Sequence, residues 1–97
     1  MSGLPAFKLD TVPATTPAAL GTGARVLKAV YLYGGSAASS VEFKNAATDT
    51  GTVLFSMDCA AAIGQFVDLT ELGGIAFSVG CFCKPAGTGA IVYAWYE

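Results

Sequence analysis

From residue 25 onward, hydrophobic and polar positions alternate with a period of two, which is typical of β-strands. The segment Arg25–Tyr33 is apolar on both faces, and this predicts a strand that is covered on both sides. In Ser40–Ala46, Val41 and Phe43 alternate with charged residues, which predicts a strand with one exposed face. The first two strands after residue 24 are therefore expected to differ in burial, the first covered on both faces and the second on one.

The same period continues to the C-terminus through short segments that are separated by glycine-rich or Asp-Thr-Gly turns. A helical turn is predicted only at 60–62, and no long helix is predicted. Such spacing is typical of an antiparallel sandwich or a small barrel. We expect an all-β fold, an antiparallel, jelly-roll-like β-sandwich of about six to seven strands. The further predicted strands are 52–57, 65–69, 75–83 and 90–96.

Residues 1–24 differ from the rest of the chain because Pro5, Pro13 and Pro17 alternate with small residues. Each proline removes a backbone donor and favours extended geometry in the residue before it. The pattern predicts an extended N-terminal arm, with a short edge strand at Phe7–Val12, followed by a β-sandwich domain at 25–97. A disordered tail is the alternative.

Apolar anchors along the arm favour an ordered segment over a disordered tail, because disordered tails usually lack them. We expect the arm to lie on a neighbouring subunit and to add a strand to its sheet. The expected contact residues are Leu4, Phe7, Leu9, Val12 and Leu20.

Composition points to an assembly. Of the 97 residues, 54% are hydrophobic, and only five are basic and seven acidic. A domain of this size has a high ratio of surface to volume, so twelve ionic side chains cannot cover it. Large exposed apolar areas usually mark contacts between proteins. The net charge of −2 and the scattered cations argue against nucleic acid and against an anionic membrane.

The chain has no histidine, which excludes a Ser-His-Asp or Cys-His arrangement. Asp58, Asp68 and Glu71 are candidates for acid–base work, but their positions near turns and strand ends favour solvated or turn-capping roles. The segment Gly87–Gly89 lacks the spacing of a phosphate-binding loop. The sequence predicts that the chain is not an enzyme.

Three cysteines, Cys59, Cys81 and Cys83, make a poor disulfide framework because their number is odd. We expect reduced core side chains. A metal site lacks a fourth ligand, since no histidine is present. No cofactor and no metal are expected.

Aromatic residues on the predicted strands are the side chains that point most clearly to a contact surface. Tyr31, Tyr33, Tyr93 and Trp95 are expected to contribute to packing and to oligomer or sheet-face contacts, because aromatic residues are enriched in both. A sugar-binding face is the alternative. No cluster of Asp, Asn and Arg accompanies them to hold sugar hydroxyls, and this disfavours the alternative.

The N-terminus has Pro5, Lys8 and Asp10 where a secretory signal has its apolar region, so synthesis in a cytoplasm is expected. The longest apolar stretch, 72–83, is too short to span a membrane as a helix.

The layout resembles that of a known class of proteins. The chain begins with an extended arm, which is followed by Arg25-Val26-Leu27-Lys28-Ala29-Val30, a Gly-Gly-Ser break and a Val-Glu-Phe strand. An Asp-Thr-Gly turn then precedes Thr52-Val53-Leu54, and the chain continues with the segment Ile75–Gly80 and an aromatic C-terminal strand. This layout, over 25–97, resembles the small β-rich virion proteins of tailed bacteriophages, and most closely the capsid decoration or cement proteins.

The resemblance implies a protein that docks on the outer surface of a phage head and bridges major capsid subunits. It implies association as a trimer or dimer, no catalytic residues and no cofactor. The expected location is the capsid surface of the virion, after synthesis in the cytoplasm of the host bacterium. Another virion component, associated with the tail or a fibre, is an alternative.

Overall fold

The computed structural model describes residues 7–97, which contain nine β-strands and one 3₁₀ turn, Thr70–Leu72, but no α-helix. Leu4, one of the expected arm contacts, lies outside the described residues. The strands are β1 Lys8–Pro13, β2 Ala18–Ala19, β3 Arg25–Tyr33, β4 Ser39–Asn45, β5 Thr52–Cys59, β6 Gly64–Asp68, β7 Ile75–Phe77, β8 Cys81–Ala86 and β9 Ile91–Tyr96.

The strands form two antiparallel sheets that pack face to face. Sheet A has the order β1-β9-β3-β6, and β7 pairs with the first residues of β3. Sheet B has the order β2-β8-β4-β5. The predicted all-β antiparallel sandwich is confirmed.

The order of the strands is that of a jelly roll. Pairing runs inward from the chain ends, with β1 on β9, β2 on β8, β3 on β6 and β4 on β5. These four pairs are what results when one long hairpin is rolled into two sheets, and β7 is an additional short strand on sheet A. The jelly-roll-like character predicted from the sequence is therefore present.

The N-terminal segment is part of this sandwich, which differs from the predicted arm on a neighbouring subunit. Strand β1 pairs with β9 along six residues, and the alternation of its side chains places Val12 in the core. Leu20 is fully buried, and its N–H donates to the carbonyl of Cys81 at 2.8 Å. Pro13 is tolerated because β1 is an edge strand. One core therefore contains residues from both sides of the predicted boundary at residue 24.

The predicted strand 75–83 is two strands in different sheets, β7 in sheet A and β8 in sheet B. Between them the chain crosses the sandwich and is held by the Asn45 side chain. Asn45 Oδ1 accepts the N–H of Val79 at 2.9 Å, and Nδ2 donates to Ser78 Oγ at 3.1 Å. Val79 is exposed as a result. This division, together with β1 and β2, accounts for the difference between the six to seven predicted strands and the nine that are present.

The helical turn predicted at 60–62 is also wrong. Ala62 has a φ of 62°, in the left-handed region, and its N–H donates to the carbonyls of Gly34 at 2.7 Å and Gly35 at 2.8 Å. The segment is a tight turn that the chain after β3 holds in place.

The core lies between the sheets and contains all three cysteines as free thiols. Burial raises the pKa of Cys81 to about 12 and also raises the pKa of Cys83. A thiol with a raised pKa is protonated near neutral pH and is a poor nucleophile or metal ligand. The largest fully buried side chains are Phe43, Phe77, Leu20, Leu27 and Leu32.

Candidate functional site

The outward-facing surface of sheet A is apolar and aromatic, and we call it the aromatic face. Its side chains are brought together by the antiparallel register, in which Tyr31 lies between Tyr93 of β9 and Phe66 of β6. On the far side of β9, Trp95 pairs with Leu9 of β1. The aromatic face consists of Leu9, Tyr31, Tyr33, Phe66, Ile91, Tyr93 and Trp95.

All four aromatic residues singled out in the sequence lie on this face. Alternation along β3 and β9 turns their partners inward, such as Leu32 and Val92, both fully buried. Two further members, Phe66 and Ile91, were missed. Ile91 has the same parity as Trp95 in β9 and could have been found from it, whereas Phe66 joins the face only because β6 pairs with β3.

The rings pack against one another at steep angles. Tyr31 and Tyr93 have ring centroids 6.0 Å apart and planes tilted by 51°, while Phe66 meets Trp95 edge to face at 6.1 Å and 78°. Edge-to-face contacts are favourable between aromatic rings. The rings therefore form a ridged surface and not one flat platform.

The aromatic face is open to solvent at both lateral margins and at the end of β3. Phe66 is 57% exposed, Leu9 50% and Tyr33 39%. Tyr93 and Trp95, in the middle, are half-buried under their neighbours. Several large apolar side chains thus remain in contact with water in this single chain.

Among the described residues, charged side chains stand only at the margin of the aromatic face. Lys28 is engaged there, since its Nζ lies 3.3 Å from Glu97 Oε1 and donates to the carbonyl of Gly73 at 3.1 Å. Asp68 at the end of β6 accepts hydrogen bonds from the hydroxyl and the N–H of Thr70 at 2.6 and 2.9 Å. These bonds lower the pKa of Asp68. The centre of the face has no ionic group.

The outer surface of sheet B is the opposite in character, and we call it the charged face. Asp49, in the turn after β4, binds both Lys44 and Lys84, the latter at 2.6 Å between Nζ and Oδ2. Glu42 Oε1 lies 3.9 Å from Lys44 Nζ. Hydrogen bonds from Lys44 and Lys84 lower the pKa of Asp49. The sandwich therefore has one aromatic and one ionic outer face.

The expected arm contacts do not form a single surface. Val12 and Leu20 lie in the core, whereas Leu9 belongs to the aromatic face. Phe7 is exposed and lies beside Lys28, whose Nζ is 5.8 Å from the centre of its ring. The sequence pattern could not separate these roles because they depend on the pairing of β1 with β9 and of β2 with β8.

The carboxylates considered for acid–base chemistry, Asp58, Asp68 and Glu71, are exposed. Asp68 caps the turn that begins at Thr70. In residues 7–97 no group of three potential metal ligands comes together, and no cavity was found. No helix within this part of the chain is long and apolar enough to cross a membrane.

Comparison with models of protein families, with curated proteins and with solved structures finds no match to this chain. A fold shared by many activities does not by itself identify a function. The two outer faces are the features of this chain that bear on its function.

Proposed function

We propose that this chain is a bacteriophage capsid decoration protein that docks on the outer surface of the head and bridges major capsid subunits. The observation that carries the proposal is the contrast between the aromatic face and the charged face. An exposed apolar surface without charge in its centre favours a protein partner, because aromatic residues are enriched and charges depleted at the centre of interfaces.

The size of the aromatic face favours a repeated, multivalent role. Four strands about 4.8 Å apart, each about six residues long with a rise of about 3.3 Å per residue, cover about 300–400 Å². A standard interface buries about 800 Å² on each partner, so one such contact alone would be weak. Many copies on one lattice, or copies joined to each other, raise the overall binding strength through multivalency.

The charged face suits the outward side of a coated particle. Glu42, Asp49 and Asp58 are exposed there beside the half-buried Lys44 and Lys84. Mixed charges of both signs maintain solubility. In this orientation the aromatic face contacts the major capsid protein. The chain would act in the virion after synthesis in the host cytoplasm.

The partners that we propose follow from the same two faces. Two of the five cations, Lys44 and Lys84, are paired with Asp49, which leaves no clustered basic patch there for nucleic acid or an anionic membrane. A structural role requires no catalytic group and no cofactor. The partners in this proposal are the major capsid protein and further copies of this chain.

Sugar binding is less well supported by the same residues. A sugar ring stacks on a flat aromatic surface, whereas Phe66 and Trp95 meet at 78°. Trp95 is also half-buried between its neighbours. Binding to a glycan array that disappears in a folded Trp95→Ala variant would favour the sugar alternative over capsid docking.

Co-sedimentation with expanded heads of the phage that encodes this chain tests the proposal. Phe66→Glu and Leu9→Glu each place a charge on the aromatic face, at two of its most exposed positions. Ala86→Glu is the matched control, because Ala86 is exposed on the charged face. We expect the first two variants to lose binding and the control to retain it. Equal binding by all three, or none by the unmodified chain, would overturn the proposal.

A further inference from the structure

The aromatic face carries hydrogen-bonding groups as well as apolar surface, because a tyrosine or tryptophan ring has one polar end. In residues 7–97, the one tyrosine hydroxyl that donates to another protein group is that of Tyr96 in the core, which bonds to Asp10 at 3.0 Å. The polar ends on the aromatic face have no hydrogen-bond partner in this part of the chain. They belong to Tyr31, Tyr33, Tyr93 and Trp95.

These polar ends reach solvent although most of the rings are half-buried. Among the described residues, Arg25 Nε is the one buried side-chain nitrogen or oxygen without a hydrogen-bond partner. The hydroxyls of Tyr31 and Tyr93 and the indole N–H of Trp95 are therefore accessible, while their rings pack against neighbours. An indole N–H can only donate, and a phenol hydroxyl can donate as well as accept. The face thus presents donors within an apolar surface that has no charge at its centre.

A partner that covers the aromatic face has to supply acceptors for these donors, because a buried donor without a partner is costly. The backbone carbonyls of an α-helix accept from within the helix, except in its last turn. Those of a strand inside a sheet accept from the neighbouring strands. A segment in polyproline II geometry has no internal hydrogen bonds, so all its carbonyls remain available. The donors therefore favour a polyproline II segment.

The extent of the face also fits a segment better than a folded surface. Its area of about 300–400 Å² is less than half of what each partner contributes to a standard interface. Strand β9, in the middle of the face, has six residues and is about 20 Å long. Six residues in polyproline II geometry span about 19 Å. No cavity was found in residues 7–97, so contact is spread along the rings and not concentrated in a pocket.

We propose that the aromatic face binds an uncharged, proline-rich segment of its partner in polyproline II geometry. Proline rings pack on the aromatic rings, and the carbonyls of the segment accept from Trp95 and the tyrosine hydroxyls. Proline fixes the backbone near this geometry in advance, so less conformational freedom is lost on binding. Docking of such segments on aromatic surfaces is a recurring mode of peptide recognition. An uncharged segment suits a face without ionic groups at its centre.

This inference rests on the aromatic face being the docking surface, and it adds the chemistry of the partner. In the proposed function the segment belongs to the major capsid protein and lies on the outer surface of the head. One segment on one face makes a weak contact, which many copies on a lattice strengthen through multivalency.

The experiment uses the full-length chain and blocked eight-residue peptides on an array. One set has proline at positions 1, 4 and 7, which lie on one side of a polyproline II helix, and neutral residues elsewhere. The matched set has alanine at those three positions. Trp95 is the one tryptophan of the chain, so its fluorescence reports binding of the best peptide in solution. We expect the proline set alone to bind, with a Kd below about 1 mM.

Tyr31→Phe and Tyr93→Phe each remove a hydroxyl and keep the ring and Trp95. We expect each to raise the Kd about three- to tenfold, the usual effect of one hydrogen bond, and to leave urea unfolding unchanged. Ser56→Ala is the matched control, because it removes an exposed hydroxyl from β5 in the other sheet. Its Kd should equal that of the unmodified chain.

Absence of binding to every proline peptide, or equal binding to the alanine set, would overturn the inference. A Kd that neither tyrosine variant changes would overturn it as well. Heads that bind the chain without competition from the best peptide would overturn the inference and leave capsid docking in place. Peptide binding by a chain that does not bind heads would overturn capsid docking alone.

Discussion

The side chain of Tyr31 lies directly across the backbone of Gly64 on the neighbouring strand β6. A Cβ atom at position 64 would overlap the hydroxyl and the ring of Tyr31. The ring of Tyr31 also packs against Tyr93, so it has little room to move away. Gly64 therefore lets an aromatic ring cover the strand, and this contact helps to shape the aromatic face.

Gly64→Ala should lower the free energy of unfolding by about 1–3 kcal/mol, because overfilling a packed site displaces its neighbours. The same substitution in a Tyr31→Ala background should cost much less, since the overlapping ring is gone. Urea unfolding of the four proteins in this double-mutant cycle measures the coupling. Additive effects of the two substitutions would contradict the contact.

Leu20→Ala should destabilise the sandwich by about 2–5 kcal/mol, the usual cost of truncating a fully buried leucine. Leu9→Ala should have little effect on stability, because Leu9 is half exposed. Chemical denaturation of both variants distinguishes an integral N-terminal segment from a detachable arm. Equal stability of Leu20→Ala and the unmodified chain would mean that residues before 24 are dispensable for the fold.

Stability should fall in alkaline solution. In the unfolded chain a thiol ionises near its ordinary pKa of about 8.5, whereas burial raises the pKa of Cys81 to about 12 in the fold. The stabilisation is complete below pH 8.5 and is lost as the pH rises towards 12, by up to about 1.4 kcal/mol per pH unit for each thiol. Urea unfolding with reductant at pH 7.5, 9 and 10 measures the decline.

A Cys81→Ala/Cys83→Ala variant is the control for this decline. It should be less stable at pH 7.5, because it leaves a cavity, but its stability should change less between pH 7.5 and 10. Burial, assisted by the hydrogen bond to Asp10, also raises the pKa of Tyr96. Tyrosine in the unfolded chain ionises near pH 10, so Tyr96 affects stability mainly above about pH 10. A decline as steep as that of the unmodified chain would contradict the role of the thiols.

Asp49 should titrate below its ordinary value, since Lys44 and Lys84 donate hydrogen bonds to its carboxylate. Its stabilising contribution is present above the pKa of the unfolded chain and is lost as the pH falls through the lower pKa of the fold. Carboxyl NMR titration should show the pKa rising in Lys84→Ala and in high salt. Asp68, whose pKa is lowered by hydrogen bonds from Thr70, is the internal control and should not respond to Lys84→Ala.

The period of two in the sequence predicted most strands and the shared face of Tyr31, Tyr33, Tyr93 and Trp95, because parity within one strand decides which side chains point the same way. It did not predict the division of 75–83. Phe77 and Cys81 are both buried and keep the same parity, although they belong to different sheets. An alternation pattern has no signal for a crossing that preserves parity.

The role of the N-terminal segment depends on contacts that are distant in sequence. Pro13 and Pro17 locally favour an extended chain, which fits an arm and an edge strand equally well. The pairing with β9, which lies about 80 residues away and pairs with β1 along its whole length, makes this segment an edge strand of the same sandwich. Phe66 was missed for the same reason, because its place on the aromatic face comes from the pairing of β6 with β3.

The orientation of the chain on a decorated phage head tests the central claim most directly. Electron cryomicroscopy of expanded heads saturated with the protein would reveal which outer face meets the shell. We expect Trp95 and Phe66 at the contact with the major capsid protein, and Lys84 and Asp49 towards solvent. Density in which the charged face meets the shell and the aromatic face stays in water would contradict the account.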